Sequence, residues 1–234
     1  MTYTLTDPLL GEVTVRTRRG SSRFSARWHD GRVVVIAPPS ASQAETLRAI
    51  TSMRQRLHVR RPTPLFTLGT PLMLDGGITY HFELSSLHPD AIRLHPNADG
   101  GIVAIGSNIP VGTPDTEAAI SRLLISSATR LAESHILPRA RALAAEHSLN
   151  VNGWRISRGR HTLGTCSSRR IITLSSLLIF LPSRLRDYII CHELAHLTEM
   201  NHSPRFHRLC DAYCHGSEAT LIRDLRTYTW PILR

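Results

Sequence analysis

Between Cys191 and His202 the chain reads Cys-His-Glu-Leu-Ala-His-Leu-Thr-Glu-Met-Asn-His, and this run constrains the fold more than any other feature. On a helix, His192 and His196 stand about 40° apart in azimuth and roughly 6 Å apart along the axis. Two imidazoles so placed converge on one ion. A catalytic zinc takes three protein ligands and keeps a fourth position for water, so a third ligand must return from beyond the helix. His202 has the spacing and ligand chemistry for that place. Glu199, on the same helical face, and Glu218, from a later segment, are its rivals.

Glu193, next to His192, is placed to reach a water on the metal without entering the coordination shell. The expected reaction is amide hydrolysis on one catalytic Zn2+, with Glu193 as general base and proton carrier. In random order, this composition yields the five-residue pattern plus the later histidine with a probability of roughly 0.002. The plain alternative is an amphipathic helix with solvated histidines. A second cluster, His207, Cys210, Cys214 and His215, lacks the paired short spacing of a structural zinc site and reads as thiols buried on a helix.

The rest of the chain frames this segment as α+β. Val13 and Val15, then Phe24, Ala26 and Trp28, alternate with polar neighbours before Asp30-Gly31 and the run Val33 to Ile36, a hairpin pattern. Ser42 and Glu45 form a capping box for a helix carrying Leu47, Ile50, Met53 and Leu57 up to Pro62. Ile78 to Leu84, Ala91 to Leu94 and Ile102 to Ile105 read as strands, and helical spacing begins at Asp115, interrupted at Pro138. A boundary near residue 112 divides a β-rich N-terminal region, 1–112, from a catalytic region, 113–234. In the latter, Trp154 to Ser157 and Ile171 to Leu174 are strands. Ser183 caps a helix running to about Met200, Ser203-Pro204 starts another, and Glu218 to Trp230 forms a third.

All 28 basic residues are arginine, against 18 acidic ones, for a formal charge of +10. Residues 16 to 61 hold 11 of them against Asp30 and Glu45, and residues 155 to 186 hold seven with no acid. Such stretches attract polyanions, so nucleic acid is a second expected partner beside a protein or peptide substrate. A solvated face is the plain alternative. The longest apolar run, Ile171 to Leu181, is too short to cross a bilayer, and Asp7-Pro8 interrupts any secretory signal, so a cytoplasmic address with free thiols is expected.

His192 to His202 followed by Ser203-Pro204-Arg205-Phe206 resembles the signature of YgjP-like zinc metallopeptidases, which are related to SprT-like and WLM proteases. Leu163-Gly164-Thr165-Cys166-Ser167-Ser168 with the strand after it, and Arg16 to Pro38, resemble two further segments of that family. The resemblance implies His192, His196 and His202 as zinc ligands and Glu193 as catalytic acid/base. It also implies a compact zincin-like α+β catalytic region, 113–234, in which a strand beside the active-site helix binds extended peptide by strand addition, for which Ile171 to Leu174 is the candidate. By analogy with the SprT-like and WLM relatives, a protease acting on DNA-associated proteins is an alternative. Leu163, Thr165, Ser175 and His207 depart from the family's usual Trp, Ser, Asn and aromatic residue.

Overall fold

A computed structural model describes residues 2–29, 32–59, 64–159 and 161–233. The chain forms two compact units, one of residues 1–65 with 112–118 and one of residues 66–111 with 119–234.

In the first unit, β1 (Thr2–Asp7), β2 (Gly11–Thr17), β3 (Ser25–His29) and β4 (Arg32–Ala37) form a sheet in the order β1-β2-β4-β3. The expected hairpin is β3 and β4, antiparallel with His29 opposite Arg32; its Asp30-Gly31 turn lies outside the described residues. The register sets Val13 beside Val33 and Val15 beside Val35, so one face is continuous valine. Ile50 and Leu57 of α1 (Gln43–Val59) pack into the same buried cluster. The capping box is present: Glu45 N–H donates to the Ser42 hydroxyl at 3.2 Å, and Ser42 N–H to the Glu45 carboxylate at 2.8 Å. The expected stop at Pro62 lies outside the described residues. Burial alone would raise the Asp7 carboxyl, but donation from the Arg54 guanidinium and from the Leu9 and Leu10 amides outweighs it and holds the group below the usual carboxylate range.

The second unit holds the sheet β5-β6-β8-β7, built from β5 (Leu72–Met73), β6 (Thr79–Ser85), β7 (Ile92–Asn97) and β8 (Gly100–Gly106). It carries Tyr80, Phe82, Val103 and Ile105 inward. Against it lies α2 (Pro114–His135), from which Ser127 meets the Tyr80 hydroxyl at 2.6 Å. The helical pattern breaks where Pro138 predicts, and α3 (Leu137–Glu146) starts there with the proline in its first turn.

A second sheet, ordered β10-β11-β9, joins β9 (Gly153–Ser157), β10 (Gly164–Cys166) and β11 (Ile171–Ser175). After a buried 3-10 turn over Ser176–Phe180 comes α4 (Ser183–Ala195), which packs against α3, β10, β11, α5 (Pro204–Tyr213) and α6 (Glu218–Thr227). Surrounded on so many sides, α4 is buried along most of its length. Two expectations about it are corrected. Ser183 is its first residue rather than its cap, and the Asp75 carboxylate accepts the Ser183 N–H at 2.6 Å, where the positive end of the helix favours an anion. The helix also ends at Ala195, not near Met200, because Leu197 and Thr198 bond back three residues, to Leu194 and Ala195, in tightened turns. No helix among the described residues is long and apolar enough to cross a membrane.

Candidate metal centre

His192 and Glu193 lie in the last turn of α4, and His196 is its C-cap residue, still with helical backbone angles. The one-turn relation between the two histidines therefore survives the early end of the helix. Beyond it, Arg170 donates to the Leu197 carbonyl at 3.1 Å and to the Asn150 carbonyl at 2.7 and 3.0 Å, holding the chain where it leaves the helix. Arg170 itself has a left-handed backbone (φ 59°). The chain then turns through Asn201, and the Ser203 hydroxyl accepts the Phe206 N–H at 3.2 Å to start α5. That cap fixes the direction from which His202 returns.

The return brings His202 Nε2 within 3.0 Å of His192 Nε2. One ligand nitrogen each from His192, His196 and His202 lies within 4.8 Å of the other two. The rings are 4.8 to 5.0 Å apart by centroid. Phe206, fully buried, packs under all three at 4.5 to 4.9 Å. His196 Nδ1 donates to the Glu199 carbonyl at 2.9 Å, which leaves Nε2 as its coordinating atom. Burial, reinforced by His196 and His202 nearby, lowers His192 to about 4, which favours the neutral ring that ligates. Burial and His202 also lower His196. Three convergent imidazoles, one oriented through its second nitrogen, fit a divalent ion of the zinc class.

The rivals have other partners. The Glu199 carboxylate pairs with Arg205 at 2.9 Å. Glu218, buried at the start of α6, accepts from His207 Nδ1 at 3.0 Å. With His192 and Cys210 it forms a second group of donor atoms within 4.8 Å of one another, sharing the same histidine. Cys191, Cys210 and Cys214 are buried free thiols, while His215 is exposed beside Glu146.

Glu193 is 5% exposed, its carboxylate accepts no hydrogen bond from another described residue, and burial lifts it to about 7. Its wall is Gly164. A Cβ on that residue would stand 2.6 Å from Glu193 Cγ and Oε1, so only glycine lets the β10 backbone come this close. Cys166, two residues on in the same strand, is half-buried, and burial together with the Glu193 charge raises its thiol.

The candidate peptide-binding strand requires correction. Ile171 to Leu174 lies in β11, which is paired on both sides, antiparallel to β10 and parallel to β9. Its backbone groups are already engaged. The edge beside the carboxylate is β10. Glycine, threonine and cysteine over three residues give no alternation from which to read a strand. Phe206 was visible only as part of the resemblance, and nothing local marks Arg170 as a clamp.

A triad of histidines from one helix and the turn after it, with a buried carboxylate next in sequence to the first, is an arrangement suited to a metallopeptidase. The family described as YgjP-like, metallopeptidase domain, matches residues 22–221, and the chain belongs to it. The crystal structure of the metallopeptidase zymogen of Pyrococcus abyssi abylysin is similar at 25% identity and a TM-score of 0.33, over 37% of this chain and 87% of that one. No curated protein matches the chain. Family membership makes this protein a peptidase that uses a metal ion.

Proposed function

We propose that the chain is a zinc-dependent metalloendopeptidase that cleaves extended protein segments. The observation that carries this is the approach of His202 Nε2 to His192 Nε2 at 3.0 Å, with the buried Glu193 next in sequence to His192. His192, His196 and His202 would hold the ion. When bound, zinc supplies Lewis acidity that polarises a carbonyl and brings the pKa of water to about 7.

The chain's own groups do the rest. Glu193 takes the proton of the attacking water on its carboxylate and passes it to the leaving amide nitrogen. Its buried setting suits both transfers, since a group that accepts and then donates works best when neither form is strongly preferred. The outer edge of β10 is the place for substrate backbone to pair, because Gly164 brings that strand against the carboxylate. Phe206 closes the floor of the site to water.

The test is cleavage of an unfolded protein before and after chelation. Activity should disappear with a strong chelator and return with about one equivalent of Zn2+. Cleavage that persists in the metal-free protein would contradict the proposal.

A further inference from the structure

The arginine-rich stretch of the first unit supplies none of the residues of the metal centre described above, and its charges are sorted by position. Arg54 pairs with Asp7, and Arg32 pairs with Glu12 and Asp115. Glu45 caps α1, and Glu117 accepts the Leu65 N–H. Every described carboxylate of this unit is thus engaged. Arg16, Arg18, Arg19, Arg23 and Arg27 are all exposed, and none has an ion-pair partner among the described residues.

The topology places Arg16, Arg18, Arg19 and Arg23 at one end of the sheet and Arg27 two residues into the edge strand that follows. Arg16, next to last in β2, is level with Ile36 of β4, beyond which lies Ser25, and Arg27 lies on the edge strand β3 beside Val34. Arg18, Arg19 and Arg23 lie in the connection between those strands, which is fastened where Arg18 N–H donates to the Ala37 carbonyl at 3.2 Å. By strand alternation Arg16, Arg27, Thr2, Thr4, Thr14 and Ser25 share the face opposite the valine core, with Val34 and Ile36 of β4 between the β2 and β3 rows. Two strand spacings separate the β2 and β3 rows, about 10 Å, and equivalent side chains recur every ~6.6 Å along a strand.

We infer that this end of the sheet binds the phosphodiester backbone of a single nucleic-acid strand. Guanidinium forks flanked by hydroxyls suit phosphate oxygens, and the width accommodates one backbone. An anionic membrane is disfavoured, because none of the exposed large hydrophobic residues falls between Arg16 and Arg27 to anchor in lipid.

The experiment is fluorescence anisotropy of the full chain with labelled dT20 and rU20, set against phosphatidylserine vesicles and polyglutamate. Binding to both oligonucleotides is expected, with a log–log salt slope of about −3.5 if all five arginines neutralise phosphates. Replacing the five by serine (R16S, R18S, R19S, R23S, R27S) should weaken binding about tenfold or more and flatten the slope, with melting temperature and peptidase rate unchanged. A charge-matched variant of exposed arginines in the second unit, R93S, R122S, R141S, R223S and R226S, should retain most of the affinity. Equal loss in both variants, equal or tighter binding to vesicles or polyglutamate, or no binding to either oligonucleotide at low salt would each overturn the inference.

Discussion

Glu193→Gln is expected to leave one metal ion per chain and to lower the rate of peptide hydrolysis by about 10³-fold, within the range that a positioned acid/base contributes. Glutamine keeps the size and most of the packing of the side chain but cannot accept the water's proton. Because burial of an ionisable group is itself unfavourable, the variant should fold at least as stably as the parent. Loss of activity with metal content and melting temperature intact therefore isolates proton transfer. Comparable rates in the two proteins, both abolished by chelation, would remove Glu193 from the mechanism.

The second large effect belongs to a residue with no side chain. Gly164→Val places carbon within the space that Glu193 Cγ and Oε1 occupy at 2.6 Å from an ideal Cβ. Either β10 withdraws or the carboxylate is pushed aside, and a displacement of about 1 Å at a reacting group costs about 10²-fold in rate. Metal binding should persist, since no ligand belongs to β10. Retained activity would place the working carboxylate elsewhere. Lost metal would mean that β10 supports the ligands rather than the base.

Local chemistry was legible wherever it lay within a few residues. The capping box of Ser42 and Glu45, the helix started by Ser203-Pro204 and the break at Pro138 were all readable because each partner sits within a turn of the other. The three-histidine geometry was readable for the same reason, eleven residues spanning one helix end and one turn. What depended on distant partners was not. The N-terminus of α4 is satisfied by Asp75, 108 residues away, so the nearby Ser183 was the plausible but wrong cap. Leu194 and Leu197 continue the apolar rhythm past the point where the helix tightens, so the sequence pattern overran its end. Whether a strand is central or at an edge is decided by its neighbours, which is why β11 looked available and β10 went unread.

The most direct measurement is the zinc content of the purified chain and the X-ray absorption of that zinc, in the wild type and in His202→Ala. The account predicts one ion per chain with nitrogen ligands near 2.0–2.1 Å and no sulfur shell, and an ion largely lost when His202 is removed. A sulfur ligand near 2.3 Å, the distance expected if Cys210 and Glu218 shared His192 instead, would contradict it. So would full zinc occupancy in His202→Ala.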